Sequence, residues 1–267
     1  MAVNIIINGV LGRMGREIVR IISADSDCTC IGGVEYPEHP DLGADIGEQT
    51  GIGKTGITVC SSLKNIPQSG AVIIDFSSPA ATRSLLQEIK GNDTRIVIGT
   101  TGLSENDIEL MKSTAERNAV LFSPNMSLGV NFLFHLTRVA AEKLGADFDI
   151  EIIEAHHRLK KDAPSGTAKK LGEIVSEAIG STYNEAVRHG RQGLIGERTT
   201  KEVGIHAIRG GDIVGDHTVL FAGPHERLEL KHAAHSRAIF ARGAVTAAKW
   251  LHEKEPGFYT MQNVLGF

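Results

Sequence analysis

Hydrophobic and polar positions in the first 126 residues follow two periodicities. Short continuous apolar runs are typical of buried strands, whereas apolar residues spaced three and four apart are typical of helices with one buried face. The runs predict strands at Val3–Ile7, Cys28–Val34, Ile57–Cys60, Ala71–Phe76, Arg95–Ile98 and Ala119–Phe122. Helices are predicted after Gly15, at Pro79–Ile89 and after a capping Ser104, so the chain predicts a parallel, doubly wound sheet. The segment Tyr36–Gly56 shows neither periodicity and is interpreted as a mobile loop.

The pattern changes after residue 126. A long helix at Leu128–Leu144 and a strand at Phe148–Ala155 are followed by a helix that begins at Gly166. Three later strands are predicted near Gly204–Ile208, Ile213–Ala222 and Arg227–His232. The last of them alternates apolar and charged residues, which favours an antiparallel or mixed sheet with one exposed face. We predict a second domain at residues 127–235. A helix capped by Ser236 and the tail after Pro256 are expected to return to the first domain, which then comprises residues 1–126 plus 236–267.

Composition narrows the class of protein. The 267 residues are 41% apolar and 22% charged, which is ordinary for a globular protein. The formal net charge of −4 argues against a nucleic-acid partner, because such proteins carry broad basic surfaces. No apolar run reaches the roughly 20 residues that cross a bilayer, and the N-terminus has no basic segment of the secretory kind. Because Cys28, Cys30 and Cys60 form no disulfide framework, we expect a cytoplasmic protein.

A glycine-rich turn connects the first predicted strand to the first predicted helix. In Gly9-Val-Leu-Gly-Arg-Met-Gly15, Gly9 permits a tight turn, Gly12 lets a pyrophosphate approach the backbone, and Gly15 lets the helix pack closely. Glycines of such turns can also serve packing alone. Glu35 ends the second strand about 20 residues later, where dinucleotide folds place a carboxylate on the ribose. The sequence therefore predicts a dinucleotide site, whose members are Gly9, Val10, Leu11, Gly12, Arg13, Met14 and Glu35.

Two further loops follow predicted strands of the same sheet. Parallel sheets bind ligands beyond the carboxyl ends of their strands, and Gly99–Gly102 and Ser123–Met126 both lie at such ends. Either loop alone could be a plain turn, but this position favours contact with the nicotinamide. The Asn125 carboxamide is a suitable hydrogen-bond partner for it. The predicted residues are Gly99, Thr100, Thr101, Ser123, Pro124, Asn125 and Met126.

The segment Glu154–Ala168 concentrates charged and titratable side chains after a predicted strand. His156, His157, Arg158, Lys160 and Lys161 lie within six positions. Ser165 is the predicted N-cap of the next helix, and the backbone N–H groups of Gly166 and Thr167 favour an anion there. Basic clusters are commonly solvated surfaces, and Ser-Gly-Thr is an ordinary helix start, but together they favour a site for a small carboxylate or phosphate. No His-Glu-x-x-His motif occurs, and no metal site is predicted.

These motifs carry a resemblance over essentially the whole chain. With Asp75-Phe-Ser77, Gly99-Thr-Thr-Gly102, Ser123-Pro-Asn-Met-Ser127 and above all Glu154-Ala-His-His-Arg-Leu-Lys-Lys-Asp-Ala-Pro-Ser-Gly-Thr167, the chain resembles the 4-hydroxy-tetrahydrodipicolinate reductase (dihydrodipicolinate reductase) family of bacterial lysine and diaminopimelate synthesis. The resemblance implies an α/β fold with a Rossmann-like dinucleotide-binding domain and a second α+β domain that binds substrate. It also implies assembly into a homotetramer through the second-domain sheet.

The resemblance further implies an activity and residue roles. Members of the family use NADH or NADPH to reduce a conjugated cyclic imine with two carboxylates to tetrahydrodipicolinate. By resemblance, His156 is the catalytic proton donor and acceptor, and Lys160 is a proton donor. His157 and the helix start at Gly166 and Thr167 then hold the carboxylates of this small dicarboxylate substrate. A histidine suits this chemistry because the ordinary pKa of an imidazole lies near neutral pH.

The residue after Glu35 departs from part of the family. Some members carry an arginine there that could bind the 2′-phosphate of NADPH, whereas this chain has Tyr36 and no Lys or Arg before Lys54. We therefore expect NADH to be used at least as well as NADPH, unless Arg13 supplies the missing charge.

Two other classes of protein remain open. A dinucleotide-sensing protein without catalysis would keep Gly9–Gly15 and Glu35, but it would not need proton donors beside an anion site. Another Rossmann oxidoreductase, such as a semialdehyde dehydrogenase, would need a nucleophilic cysteine in the second domain. No cysteine follows Cys60, which disfavours that alternative.

Overall fold

The computed structural model describes residues 2–90, 92–145 and 147–267. The chain folds into two compact units, one of Met1–Leu128 with Ala238–Phe267 (unit 1) and one of Gly129–Arg237 (unit 2). Their boundaries lie two residues from the predicted domain boundaries. The strands are β1 (Val3–Asn8), β2 (Cys28–Val34), β3 (Val59–Cys60), β4 (Val72–Asp75), β5 (Arg95–Ile98), β6 (Ala119–Phe122), β7 (Asp149–His156), β8 (Val187–His189), β9 (Val203–Arg209), β10 (Gly215–Gly223), β11 (Glu226–Ala234) and β12 (Gly257–Tyr259). The α-helices are α1 (Arg13–Ser23), α2 (Ile46–Thr50), α3 (Pro79–Ile89), α4 (Glu105–Thr114), α5 (Leu128–Leu144), α6 (Gly166–Ala178), α7 (Tyr183–Ala186), α8 (Ala238–Leu251) and α9 (Met261–Leu265).

Unit 1 contains a seven-stranded sheet in the order β12-β6-β5-β4-β1-β2-β3. All neighbouring strands pair in parallel, which confirms the predicted doubly wound sheet. The chain proceeds outward from β1 in one direction and from β4 in the other, so the order reverses between these two strands. Ligands of such sheets bind at this point, beyond the carboxyl ends of the strands. The tail returns to unit 1 as predicted, because β12 pairs with β6.

Both faces of this sheet are buried. In β1, Ile5 and Ile7 face a core that includes residues of α1 and α8, whereas Ile6 faces a second core with residues of α3 and α4. Helices on both faces explain why the strands read as continuous apolar runs rather than as an alternation. The helix α4 also has the predicted capping box, in which Ser104 and Asp107 exchange side-chain and backbone hydrogen bonds.

Unit 2 contains a mixed five-stranded sheet in the order β11-β10-β7-β9-β8. Strand β7 pairs in parallel with β9 and antiparallel with β10, which confirms the predicted mixed sheet. Alternate residues of β7 are buried, so that Ile152, Glu154 and His156 lie on one face. Residues of α6, including Leu171 and Val175, share a hydrophobic core with Ile152. The start of α6 and the end of β7 therefore bring polar residues to the margin of that core.

The interpretation of Tyr36–Gly56 as a mobile loop without regular structure was wrong. The segment contains the helix α2, whose N-cap Asp45 accepts hydrogen bonds from the N–H groups of Gly47 and Glu48. The same carboxylate also accepts hydrogen bonds from the N–H groups of Thr55 and Gly56. The Asp45 side chain thus links the start of α2 to Thr55 and Gly56. Because polar groups make this link, no apolar periodicity predicts it. Across the described ranges, no helix has the length and apolar character needed to cross a membrane.

Candidate active site

The glycine turn after β1 has the geometry that a phosphate-binding turn requires. Gly9 has φ 78°, and a Cβ atom there would lie 2.8 Å from the Phe76 carbonyl oxygen. A Cβ atom on Gly15 would lie 2.2 Å from the Gly9 carbonyl oxygen, so the backbone itself excludes any side chain. Gly12 differs, because it is exposed and a Cβ atom there would meet only the Gly9 oxygen, at 3.2 Å. Gly9 and Gly15 serve the turn, while Gly12 leaves the start of α1 uncovered.

Glu35 follows β2 and is bound directly to this turn. Its Oε1 atom accepts a hydrogen bond from the Leu11 N–H at 2.8 Å. Val10 and Leu11 are buried, whereas Arg13 is exposed. An uncovered helix start beside a fixed carboxylate fits the pyrophosphate and the ribose of a dinucleotide. The predicted members of this group therefore lie together, and Met14 lies half-buried among them.

A buried carboxylate organises the next loop of the site. Asp75, at the end of β4, accepts hydrogen bonds from Asn8 at 2.8 Å, Ser77 at 2.5 Å, Thr82 at 2.5 Å and Thr100 at 2.9 Å. Burial raises the pKa of this carboxyl, and these four hydrogen bonds oppose the rise. The network joins the ends of β1 and β4 to Thr100. It therefore fixes the predicted loop Gly99–Thr101 at the switch point of the sheet.

The second predicted loop follows β6, next to β5 in the sheet. Ser123 Oγ donates to the Asn125 carbonyl oxygen at 2.7 Å, and the Ser127 N–H donates to Asn125 Oδ1 at 2.9 Å. Met126 is buried beneath the loop, where a Cβ atom on Gly243 of α8 would clash with its carbonyl oxygen. The loop is thus rigidly held at the carboxyl end of its strand, as are the glycine turn and Gly99–Thr101.

In unit 2, His156 is the last residue of β7 and is 8% exposed. Its Nδ1 atom lies 2.6 Å from Oε2 of the fully buried Glu154. Arg209 of β9 binds the same carboxylate with two nitrogens, at 2.8 and 2.9 Å, and the Ser165 N–H binds Oε1 at 3.0 Å. Because an ionised carboxylate can only accept, the His156 Nδ1 atom carries the proton of this hydrogen bond. The Nε2 atom of His156 is then the one that can exchange a proton elsewhere.

The electrostatics of this cluster favour an ionised Glu154 beside a neutral His156. Burial raises the pKa of the Glu154 carboxyl, but hydrogen bonds from Arg209, His156 and Ser165 outweigh it, and the net shift is downward. Burial lowers the pKa of His156, and the hydrogen bond to Glu154 opposes this only in part. His217 of β10 stands edge-on to the His156 ring at 5.1 Å between centroids, and burial lowers its pKa to about 3. His217 is therefore neutral near pH 7.

The two lysines after β7 have different surroundings. The Lys160 side chain is 21% exposed, and its Nζ atom lies 2.9 Å from Asp162 Oδ1. Its positive charge is close enough to His156 to contribute to lowering the pKa of that histidine. Lys161 is exposed. Of these two adjacent lysines, Lys160, the predicted one, has a described ion pair and lies near His156.

The start of α6 lies at the same cluster. Ser165 is the N-cap, as predicted, and its Oγ accepts from the Ala168 N–H at 3.2 Å. Gly166 is exposed, with nothing within 4 Å of the position that a Cβ atom would take, and Thr167 is half-buried. Glu154 joins this helix start to His156, because it binds Ser165 with one oxygen and His156 with the other.

Several members of the cluster have no signal in the local sequence. Arg209 and His217 reach Glu154 and His156 only through strand pairing, in which His156 is opposite Arg209 and Glu154 is opposite His217. Arg237 lies with one guanidinium nitrogen 3.4 Å from His157 Nε2, eighty residues away in the chain. Alternation along β9 and β10 could have placed the first two on the buried face, but not in register with β7.

Together, these features define a class. A parallel sheet with a glycine turn, a carboxylate fixed at that turn and a second unit that carries a buried imidazole is the arrangement of a Rossmann-type dinucleotide oxidoreductase. Family models for the N-terminus and the C-terminus of dihydrodipicolinate reductase match residues 3–126 and 129–265. The chain belongs to the dihydrodipicolinate reductase family, and the predicted resemblance is confirmed.

Full-length relatives and a known structure agree with this assignment. The 4-hydroxy-tetrahydrodipicolinate reductase of Syntrophus aciditrophicus is 48% identical over 98% of both chains. That of Hahella chejuensis is also 48% identical, over 98% of both chains. The dipicolinate-bound dihydrodipicolinate reductase of Paenisporosarcina sp. TG-14 is 23% identical and has a TM-score of 0.77, with 98% of this chain and 99% of that chain covered. The last similarity concerns the fold.

Proposed function

We propose that this chain reduces 4-hydroxy-tetrahydrodipicolinate to tetrahydrodipicolinate in lysine and diaminopimelate biosynthesis, with His156 and Lys160 as its proton donors. The observation that carries the residue assignment is the buried His156 imidazole, whose Nδ1 atom is 2.6 Å from a buried carboxylate and whose other nitrogen is left for substrate. We further propose a cytoplasmic enzyme, which its free cysteines support.

Unit 1 is the proposed cofactor-binding unit. The uncovered start of α1 would hold the pyrophosphate and Glu35 the ribose, while Gly99–Thr101 and Ser123–Met126 would face the nicotinamide. When bound, NADH or NADPH supplies the hydride. The fit rests on the exposed Gly12, where a phosphate can approach the backbone, and on the Glu35 carboxylate fixed at the turn.

Unit 2 is the proposed source of protons and of substrate binding. Replacement of the 4-hydroxyl group by hydrogen requires that this hydroxyl leave as water, which gives a conjugated imine. Hydride addition to that imine leaves electron density on the carbon beside the one that is reduced, and an acid must protonate that carbon. His156 would act through Nε2 and Lys160 through its ammonium group. His157 and the N-terminus of α6 at Gly166 and Thr167 would hold the two carboxylates, because an imidazole N–H and the backbone N–H groups of a helix start both donate hydrogen bonds to carboxylates.

The proposed enzyme uses NADH at least as well as NADPH. The proposed position of Glu35 at the ribose would bring its carboxylate close to a 2′-phosphate and repel it. The next residue, Tyr36, is 55% exposed, packs edge-on against His39 and supplies no positive charge. The expected kcat/KM is therefore no lower with NADH. A preference for NADPH of about 100-fold, equivalent to about 2.7 kcal/mol, would mean that Arg13 or another group binds the phosphate.

We propose a homotetramer that assembles through the unit 2 sheet. β11 is an edge strand in which most residues are exposed, and Leu228 is 40% exposed. Exposed edge strands are normally covered or blunted. Light scattering at micromolar concentration is expected to give four times the 28.6 kDa chain mass, and a monomer would contradict the proposal.

The activity is tested by following NADH oxidation with substrate generated by a synthase. Oxidation is expected only when both the substrate and this chain are present. A non-catalytic dinucleotide sensor would bind NADH, measurable by fluorescence, and leave it unoxidised. That outcome would overturn the proposed function.

A further inference from the structure

Strand β7 carries the carboxylates of two carboxylate–histidine pairs that have similar oxygen–nitrogen distances. Glu154 lies 2.6 Å from His156, and Glu151 lies 2.7 Å from Nε2 of His206. Each carboxylate is also bound by two nitrogens of one arginine, Glu154 by Arg209 and Glu151 by Arg191. Because the two glutamates are three residues apart in a strand, they lie on opposite faces of the sheet. One pair includes the proposed proton donor His156, and the other does not.

The arrangement of Glu154, His156 and Arg209 depends on the register of β7 and β9. His156 and Glu154 are two residues apart and so share a face, and Arg209 is the β9 residue paired with His156. The Glu154 carboxylate is fully buried, and all four of its described hydrogen bonds come from donors. Its position is thus fixed from three directions, by β7, by β9 and by the N-cap of α6.

We infer that Glu154 is a positioning residue for His156, which fixes the imidazole with Nδ1 protonated and Nε2 directed to the substrate. This inference rests on the proposed role of His156 as proton donor. A carboxylate that accepts from one ring nitrogen selects the tautomer and the ring orientation, as carboxylates do for histidines in other active sites. Glu154 also holds Ser165, so it sets the His156 ring relative to the helix start proposed to bind a substrate carboxylate.

Arg209 opposes part of the effect of Glu154 on His156. A carboxylate raises the pKa of a neighbouring imidazole, and a nearby guanidinium acts in the opposite direction. The groups that face His156 are Glu154 on its own strand, Lys160 in the loop after it, Arg209 on β9 and the neutral His217 on β10. Burial lowers the pKa of His156, Glu154 raises it, and Lys160 and Arg209 lower it further; because the net shift is downward, the protonated ring is a stronger acid than an ordinary imidazolium.

The first test needs no variant in the measured sample. The protein labelled with ¹⁵N-histidine is titrated by NMR, and the His156 signals are identified by their absence from His156→Ala. The expected neutral ring has a proton on Nδ1 and none on Nε2. A neutral ring protonated on Nε2 would overturn the inference, whatever the activity of any variant.

The second test compares Glu154→Gln with the matched control Glu151→Gln. A carboxamide cannot accept from all four donors, so Glu154→Gln is expected to lower kcat by about 10- to 100-fold or more, since losses of about 10- to 100-fold are found when the carboxylate that orients a metal-bound histidine is removed. It is also expected to shift the NMR titration of His156 to lower pH, because Arg209 then acts uncompensated. Glu151→Gln removes a similar pair and is expected to leave both kcat and that titration unchanged.

The outcomes separate this inference from the proposed function. Wild-type kcat in Glu154→Gln, or equal losses in both variants, would overturn the positioning role while His156→Ala still tests the donor. Full turnover in His156→Ala would overturn the proposed role of His156 itself. If Glu154→Gln does not fold, the His156 tautomer measured in the wild-type protein decides whether Glu154 has the positioning role.

Discussion

Two adjacent lysines show how the environment of a residue predicts its role. Lys160 is held by Asp162 and largely buried, whereas Lys161 is exposed to solvent. If Lys160 supplies a proton or steadies developing charge, Lys160→Ala is expected to lower kcat by about 10²- to 10⁴-fold, the range for a lost general acid. Lys161→Ala is expected to have a mild effect. Steady-state kinetics of both variants, with NADH affinity as a control, checks the difference.

Equal losses at the two lysines would indicate a diffuse attraction for an anionic substrate rather than a specific acid. Near-normal turnover in Lys160→Ala would remove this residue from the mechanism. His157 has a different expected behaviour, because groups that hold carboxylates in both the ground state and the transition state act mainly on KM.

A glycine beside His156 offers a second test at the scale of one residue. A Cβ atom on Gly215 would lie 3.0 Å from His156 Nε2, whereas one on Gly210 would have no atom within 4 Å. Gly215→Ala is therefore expected to displace the ring and lower kcat by about 10-fold or more, since small misplacements of reacting groups are costly. Gly210→Ala is the control, and an unchanged kcat in both variants would contradict the assignment of Nε2 as the reacting atom.

At the scale of elements, the two glycines at the start of α1 should respond differently to alanine. Gly12 is exposed and an added Cβ atom would meet only the Gly9 oxygen, so Gly12→Ala is expected to fold normally and to weaken NADH binding. Gly15→Ala places a Cβ atom against the backbone and is expected to lower the urea midpoint of unfolding. Fluorescence titration with NADH and urea unfolding of both variants measure the two effects. Unchanged NADH affinity in folded Gly12→Ala would contradict a pyrophosphate at this turn.

Elements with strong periodicity or distinct caps could be predicted from the sequence, with bounds that the structure often repeats. The helices Pro79–Ile89 and Leu128–Leu144 and the strand Cys28–Val34 were predicted with the observed bounds. Short elements stabilised by side-chain hydrogen bonds or by pairing were missed. Helix α2 depends on the Asp45 carboxylate, and β12 depends on pairing with β6, neither of which leaves an apolar pattern.

The active-site cluster was only partly visible in the sequence for the same physical reason. His156, Lys160 and Ser165 lie in one continuous segment, so their proximity follows from the chain. Arg209 and His217 come from other strands, and their approach to Glu154 depends on the register of a mixed sheet. A one-residue change of register would turn either side chain to the opposite face.

At the scale of the whole molecule, stability in acid should depend on Glu151. Burial raises the pKa of this carboxyl, but hydrogen bonds from Arg191, His206 and Arg198 outweigh it and lower the pKa to about 2. A glutamate in the unfolded chain has a pKa of about 4.3. The contribution of Glu151 to the free energy of unfolding is therefore complete above that pH and is lost as the pH falls toward the pKa of Glu151 in the folded protein. Glu151→Gln is expected to lower the urea midpoint at neutral pH and to flatten its fall in acid.

The control for this prediction is Glu109→Gln, which removes an exposed pair with Lys112. Exposed pairs of this kind contribute little, so its urea midpoint should follow the wild-type values at each pH. The same acid dependence in Glu151→Gln and in the wild-type protein would show that the contacts of Glu151 with Arg191, His206 and Arg198 do not determine the stability of the protein in acid.

The most direct test of His156 as the proton donor compares His156→Ala with the wild-type protein in the reduction of 4-hydroxy-tetrahydrodipicolinate. Removal of the imidazole leaves the Glu154–Arg209 pair intact, so the fold is expected to persist. If His156 moves the proton, kcat falls by about 10²- to 10⁴-fold while the NADH dissociation constant stays near its wild-type value. Turnover close to wild type in the folded variant would contradict the claim.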